Sequence, residues 1–249
     1  MTKKTPVIKR YPDTKALAQA VVDLFIEIAN EAIEARDVFT VALSGGTTPR
    51  SVYELLADER YAEAVDWSKV HVFWGDERSV PPNNPNSNYW MAENLWLGRG
   101  NIPEINIHRM KGELDAELAE MDYNRVLHDF FADNAAAGKL PRLDLVLLGM
   151  GDDGHTASLF PGTAAIHETE RWVIAHFIEK LETRRITLTP VVLNAAANVV
   201  FLVEGEGKAV RLKEVLEGPE QPDVLPAQII APTDGNLYWF VDEAAAADL

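Results

Sequence analysis

The stretch Leu145-Val146-Leu147-Leu148-Gly149-Met150-Gly151-Asp152-Asp153-Gly154-His155-Thr156-Ala157-Ser158-Leu159-Phe160-Pro161 constrains the fold more than any other in the chain. It begins as an unbroken apolar run closed by turn residues, the pattern of a strand buried on both faces as in a parallel sheet. The polarity then inverts. Three glycines, two adjacent aspartates and a histidine follow where a parallel strand ends and a ligand crevice opens. A histidine there, beside a carboxylate, is suited to exchange a proton with a substrate near neutral pH.

The rest of the chain alternates strand and helix around this run. Residues 7–10 read as a short first strand, and Asp13 is a good N-cap for a helix reaching about residue 35, with Leu17, Val21, Leu24, Phe25 and Ile28 on one face. A buried strand over 39–43 leads into Ser44-Gly45-Gly46-Thr47-Thr48-Pro49, where Pro49 starts the next helix. A strand over 70–74 runs into Gly75-Asp76-Glu77-Arg78-Ser79, read as a charged loop ahead of the Pro- and Asn-rich surface stretch 81–86. Ser87 caps a helix through residue 96, a strand is expected over 105–109, and a long amphipathic helix over 114–137. Further strands are expected over 172–177, 185–189 and 198–203, then a helix over 207–217, a strand over 237–241 that closes the sheet, and a final alanine-rich helix. This order predicts one α/β domain over 1–249, built on a Rossmann-like parallel sheet, and folds of this class reach such a length without dividing.

Several motifs carry chemistry, each beside a plainer reading. The segment 149–154 matches the dinucleotide pattern G-x-G-x-x-G, with Glu179 as a ribose-binding acid. Asp152 and Asp153 would face the pyrophosphate, and Pro161 cuts the following helix short, so that reading is rejected. The loop from Ser44 to Thr48 offers hydroxyls and unhindered N–H groups at a helix N-terminus, either as a phosphate cradle or simply as a helix start. It lacks the Gly-Lys-Ser/Thr ending of a Walker A loop, and as an imperfect nucleophile elbow around Ser44 it leaves a serine esterase open. Asp76 and Arg78 lie at another strand end and reach the same crevice, or are only a solvated charged loop. Arg184, Arg185 and Lys208 are further candidates for an anion clamp. The six histidines show no metal-ligand spacing, so no metal site is expected.

Charge bears directly on the partner. A net charge of −16 argues against nucleic acid or an anionic membrane, and an anionic small substrate needs a local cationic cluster to overcome the global field. The absence of cysteine excludes thiolate nucleophiles and thiolate metal sites. No segment reaches the roughly 18 consecutive apolar residues of a membrane span. Basic residues near the start have no apolar stretch behind them, so no secretory signal is read and a cytoplasmic location is expected.

Taken jointly, Leu43-Ser44-Gly45-Gly46-Thr47-Thr48-Pro49, Trp74-Gly75-Asp76-Glu77-Arg78 with Ser87-Asn88, the stretch 149–161, Arg185-Ile186-Thr187-Leu188-Thr189 and Gly207-Lys208-Ala209 resemble the 6-phosphogluconolactonase family, in the family's order and over nearly the whole chain. The resemblance implies a modified Rossmann-like fold, a parallel sheet flanked by helices with a small additional β element, shared with glucosamine-6-phosphate deaminase/isomerase. It implies hydrolysis of 6-phospho-D-glucono-1,5-lactone in the pentose phosphate pathway, with no cofactor and a phosphorylated sugar lactone as the partner molecule. By the same resemblance His155 is the catalytic acid/base, Asp153 its neighbour and Asp76 a substrate-facing carboxylate. Ser44, Gly45, Gly46, Thr47, Arg78, Arg185 and Lys208 contact the substrate, chiefly its phosphate. The deaminases usually continue from the histidine with Ile-Ala-Phe-Asn-Glu; Thr156-Ala157-Ser158-Leu159-Phe160 carries no acid, which favours the lactonase. The oligomeric state is left open, a monomer being sufficient.

Overall fold

The computed structural model describes residues 5–99 and 101–249; residues 1–4, which hold most of the basic N-terminal stretch, lie outside them. In chain order the elements are β1 (Val7–Tyr11), α1 (Thr14–Arg36), β2 (Phe39–Leu43), α2 (Thr47–Leu56), β3 (Val70–Trp74), β4 (Asp76–Arg78), α3 (Asn88–Leu95), α4 (Ala116–Phe130), α5 (Ala132–Ala136), β5 (Leu145–Gly149), β6 (Val173–Ile178), β7 (Thr183–Leu188), α6 (Pro190–Leu193), β8 (Asn198–Val203), α7 (Ala209–Glu217) and β9 (Asn236–Asp242). Six strands form a parallel sheet in the order β1-β9-β8-β5-β2-β3. β2 leads outward to β3, and the chain then returns to place β5 on the other side of β2. This reversal opens a crevice beyond the C-terminal ends of β2 and β5, where parallel α/β sheets bind ligands.

Local sequence accounts for most of these elements. All five residues of β2 are buried, as are Leu145 to Leu148 of β5, so the apolar runs sit under helices on both faces. Asp13 caps α1 by accepting from the Ala16 N–H, and Leu17, Val21, Phe25 and Ile28 point into the core. Two tyrosines finish the strand ends that carry the site. Tyr53 Oη accepts from the Ser44 N–H and donates to the Ser44 carbonyl, and Tyr123 Oη does the same at Trp74. Both rings are fully buried, so each strand stops with its last backbone groups satisfied.

Several sequence expectations are corrected. Asp76–Arg78 is not a loop but strand β4 of a second sheet, ordered β4-β7-β6 and antiparallel throughout; this sheet is the small additional β element. Helix α2 starts at Thr47, ahead of Pro49, because Gly46 turns the chain at φ +105°. The expected strand over 105–109 shrinks to a single bridge between Ile107 and Val72 after a 3₁₀ turn. The expected long helix over 114–137 breaks at Phe131, whose backbone leaves helical geometry while its ring packs on Phe73 and Phe130. The amphipathic period runs across that break and conceals it. β9 does not close the sheet but lies between β1 and β8. Residues 243–248 form successive turns rather than a helix, since so short a segment gains too few hydrogen bonds to offset nucleation.

One buried carboxylate ties the central layers together. Asp144, just before β5, accepts from the Thr40 N–H and hydroxyl on β2 and from Arg36 at the end of α1. We expect Asp144→Ala to lose about 1.5–3 kcal/mol of stability, the cost of removing charge-assisted hydrogen bonds to a buried acceptor. Denaturant unfolding checks this, and an unchanged midpoint would contradict it.

Candidate active site

Four loops at the C-terminal ends of the central strands, joined by the β6–β7 hairpin, enclose a cavity of about 400 Å³. After β2 come Ser44 to Pro49, after β3 Asp76 and Arg78, after β5 the residues from Gly149 to Phe160, and after β8 Glu204 and Lys208. Lys180, Leu181 and Arg185 reach it from the hairpin. Ser44, Gly45, Gly46, Thr47, Asp76, Arg78, Asp153, His155, Arg185 and Lys208 all line this one cavity, whereas Arg184, the other clamp candidate, is exposed on β7 and does not.

His155 and Asp153 form a dyad. The His155 Nδ1 lies 2.6 Å from Asp153 Oδ1, and the same oxygen accepts the His155 N–H at 3.2 Å. The hydrogen bond from His155, joined by that from Lys180, holds the Asp153 carboxyl far below the usual carboxylate range. An ionised carboxylate only accepts, so Nδ1 presents a proton to Asp153, and in the neutral ring the lone pair then lies on Nε2. The imidazole stacks on Phe160 at a centroid distance of 4.0 Å. It also lies across Gly151, where a Cβ would come within 2.0 Å of Nδ1. The glycine is required by this close approach. We therefore expect Gly151→Ala to push the ring aside and lower kcat by about 100-fold, the scale at which ångström displacements tell on catalysis; wild-type kcat in that variant would contradict it.

The cations divide into two kinds. Lys208 pairs with Asp152, and Lys180 with Asp153. Arg78 and Arg185 pair with no carboxylate among the described residues, yet β4 and β7 place them directly opposite each other. Like charges at a cross-strand position destabilise a sheet unless something negative lies between them. Burial and the Arg78 charge act against the charged form of Arg185, while the nearby Asp76 and Glu77 carboxylates partly offset them, and a guanidinium stays protonated at any working pH. Arg78 donates from Nη1 to the Asn86 carbonyl, while its Nε is buried without a partner. The N-terminus of α2 has no side-chain cap, and Ser44 Oγ beside it is buried and unpartnered. These are donors left over by the fold at one end of the cavity.

Asp76 lines the cavity with both carboxylate oxygens already engaged. Oδ1 accepts from Asn88 Nδ2 at 3.1 Å and Oδ2 from Ser158 Oγ at 2.7 Å, leaving the residue 7% exposed. Its neighbour Glu77 is fully inside, where it accepts the Arg78, Asn88 and Tyr89 N–H groups and the Ser87 hydroxyl. Burial pushes the Glu77 carboxyl above the ordinary range, and those donors work against the rise. Asn88, Ser158, Glu77, Phe160 and Lys180 receive no role from sequence, because what each touches in the site is set by the fold. All but Lys180 lie within motifs read from the sequence, Asn88 in Ser87-Asn88, where a Cβ on Gly45 would meet its Oδ1 at 1.9 Å. Among the described residues no base is bonded to Ser44 Oγ, so the esterase alternative lacks an activated nucleophile. Among the described residues no group of three or more histidine or acidic side chains is placed to hold a metal ion, and no helix is long and apolar enough to cross a membrane.

Comparison with known proteins agrees with this construction. The family model for glucosamine-6-phosphate isomerases/6-phosphogluconolactonase matches residues 12–239. A 6-phosphogluconolactonase of Nostoc sp. is 42% identical over 248 residues, covering 99% of each chain. The solved 6-phosphogluconolactonase of Trypanosoma brucei superimposes with a TM-score of 0.85 at 28% identity, over 100% of both chains. A monomeric glucosamine-6-phosphate deaminase reaches a TM-score of 0.80 at 18% identity, covering 98% of this chain and 100% of its own, a likeness of fold alone. A family model spanning most of the sequence and a full-length relative at this identity lead to one conclusion: the chain belongs to the glucosamine-6-phosphate isomerase/6-phosphogluconolactonase family.

Proposed function

We propose that residues 1–249 act as one sugar-phosphate lactonase domain, hydrolysing 6-phospho-D-glucono-1,5-lactone to 6-phospho-D-gluconate in the oxidative pentose phosphate pathway. The observation that carries this reading is the His155–Asp153 dyad sharing one cavity with the cross-strand Arg78–Arg185 pair, neither arginine forming an ion pair among the described residues. His155 Nε2 takes a proton from water as the water oxygen bonds to the lactone carbonyl carbon. The tetrahedral intermediate collapses with cleavage of the bond to the ring oxygen, which receives that proton from His155. The acid formed then loses its proton to solvent. Asp153 fixes the imidazole tautomer through both steps. Arg185 and Lys208, with the N–H groups around Ser44, Gly45, Gly46 and Thr47, hold the phosphate, and Arg78 offsets the charge developing on the carbonyl oxygen. Asp76, fastened by Asn88 and Ser158, forms the wall against which the sugar lies. No step needs a metal or an organic cofactor. The setting is cytoplasmic, with no nucleic acid or membrane as partner, in keeping with the acidic surface charge.

Phe160, an apolar ring stacked on the imidazole, separates this reading from the deaminase relatives, because it puts no further acid, besides Asp153, beside His155 for ring opening. The deciding experiment is a coupled assay on freshly generated 6-phosphogluconolactone, run beside glucosamine 6-phosphate. Turnover of the lactone alone is the expected result, and turnover of the amino sugar alone would replace the reading.

A further inference from the structure

Lys180 stands apart from the residues so far given a role. It sits at the tip of the β6–β7 hairpin, in the 3₁₀ turn Glu179–Leu181, and the turn is closed by Glu182 in the left-handed region at φ +48°. From there its Nζ reaches Asp153 Oδ2 at 2.7 Å. Asp153 is therefore held at both oxygens, by the His155 ring on one side and by Lys180 on the other. A second cavity, of about 610 Å³, lies beyond, and Asp153, Phe160 and Lys180 line both cavities. The ion pair and the aromatic ring thus form a partition behind the imidazole.

We propose that Lys180 is a positioning residue for the reaction, acting on His155 through Asp153 and not through the substrate. The inference rests on His155 being the acid/base. Its physical content is twofold. With Oδ2 anchored, the carboxylate does not rotate about its χ angles, so the hydrogen bond that fixes Nδ1–H keeps its direction. The Lys180 charge also makes Asp153 a weaker base, which disfavours transfer of the imidazole proton to it, and removing that charge leaves the carboxylate a stronger partner for that proton. The other charged groups lining the cavity are Asp76, Arg78, Asp152, Arg185, Glu204 and Lys208. None of them is hydrogen-bonded to Asp153 among the described residues, whereas Lys180 is. The same hairpin carries Arg185 on β7, so one element sets both the proton-transfer group and a substrate cation.

Lys180→Met, Lys180→Arg and His155→Ala should be compared with the wild-type enzyme on 6-phosphogluconolactone across pH 5 to 8. For Lys180→Met the expected result is a kcat several-fold lower, KM within about twofold, and an acid limb of kcat/KM moved up by about 0.5 pH unit, as befits loss of one partly exposed charge. Lys180→Arg, which keeps the charge, should restore both the limb and most of kcat. An acid limb that superimposes on wild type, or a rise in KM with kcat intact, overturns the proposal; the second outcome would make Lys180 a substrate contact. Equal impairment of the Arg and Met variants also overturns it, since shape and not charge would then matter. Full activity of His155→Ala would instead remove the reading on which the proposal rests, an outcome separate from any behaviour of the Lys180 variants. Lys180 is exposed on its hairpin, so both of its variants should fold, and the thermal midpoints of all three proteins verify folding.

Discussion

Replacing His155 by alanine is expected to lower kcat by at least about 100-fold, the lower bound for losing a positioned acid/base, while KM changes little. The split follows from the geometry. The ring is tied to Asp153 and stacked on Phe160, contacts that involve neither the arginine pair nor the α2 N-terminus. Ground-state affinity resides in the phosphate contacts, and the imidazole contributes only as proton transfer proceeds. Steady-state kinetics with correction for spontaneous lactone hydrolysis is the measurement. Equal kcat in the variant would take His155 out of the mechanism altogether.

Arg185→Ala is expected to raise KM for the phosphorylated lactone by about 10- to 100-fold, the loss of roughly 1.5–3 kcal/mol of charge-assisted hydrogen bonding. Stability should move the other way or not at all. With no ligand bound, Arg185 faces Arg78 across the β4–β7 pair, and deleting one of two opposed like charges relieves the sheet. An enzyme that binds its substrate worse while melting no earlier is the signature of a residue kept for recognition and not for folding. Gluconolactone without the phosphate provides the control. Wild type should turn it over with much lower kcat/KM, and Arg185→Ala should cost nothing further on it. A similar KM penalty on both substrates would show that Arg185 serves something other than the phosphate.

The sequence and the structure part company at identifiable places. Strands β2, β5 and β8 were legible because their residues are apolar on both faces, and a run of that kind has few stable environments. Helix α1 was legible from its period and from Asp13. Strand β4 was not, since Asp76, Glu77 and Arg78 have no strand preference of their own; they are extended because β7, over a hundred residues later, pairs with them. The short helix-like end of the chain failed in the opposite sense, where local alanine preference promised a helix that nothing in the fold extends.

What the amino-acid sequence determined by itself was the alternation of strand and helix, the identity of the glycine loops and the presence of an imidazole beside a carboxylate, because each depends on neighbours within a turn or two. Only the tertiary structure decided that Lys180 grips Asp153, that Ser158 and Asn88 fasten Asp76, and that Arg78 meets Arg185. Those contacts join segments far apart in the chain. Their formation depends on the order in which parallel strands are laid beside β2 and on the hairpin folded over the crevice, and no local preference encodes either.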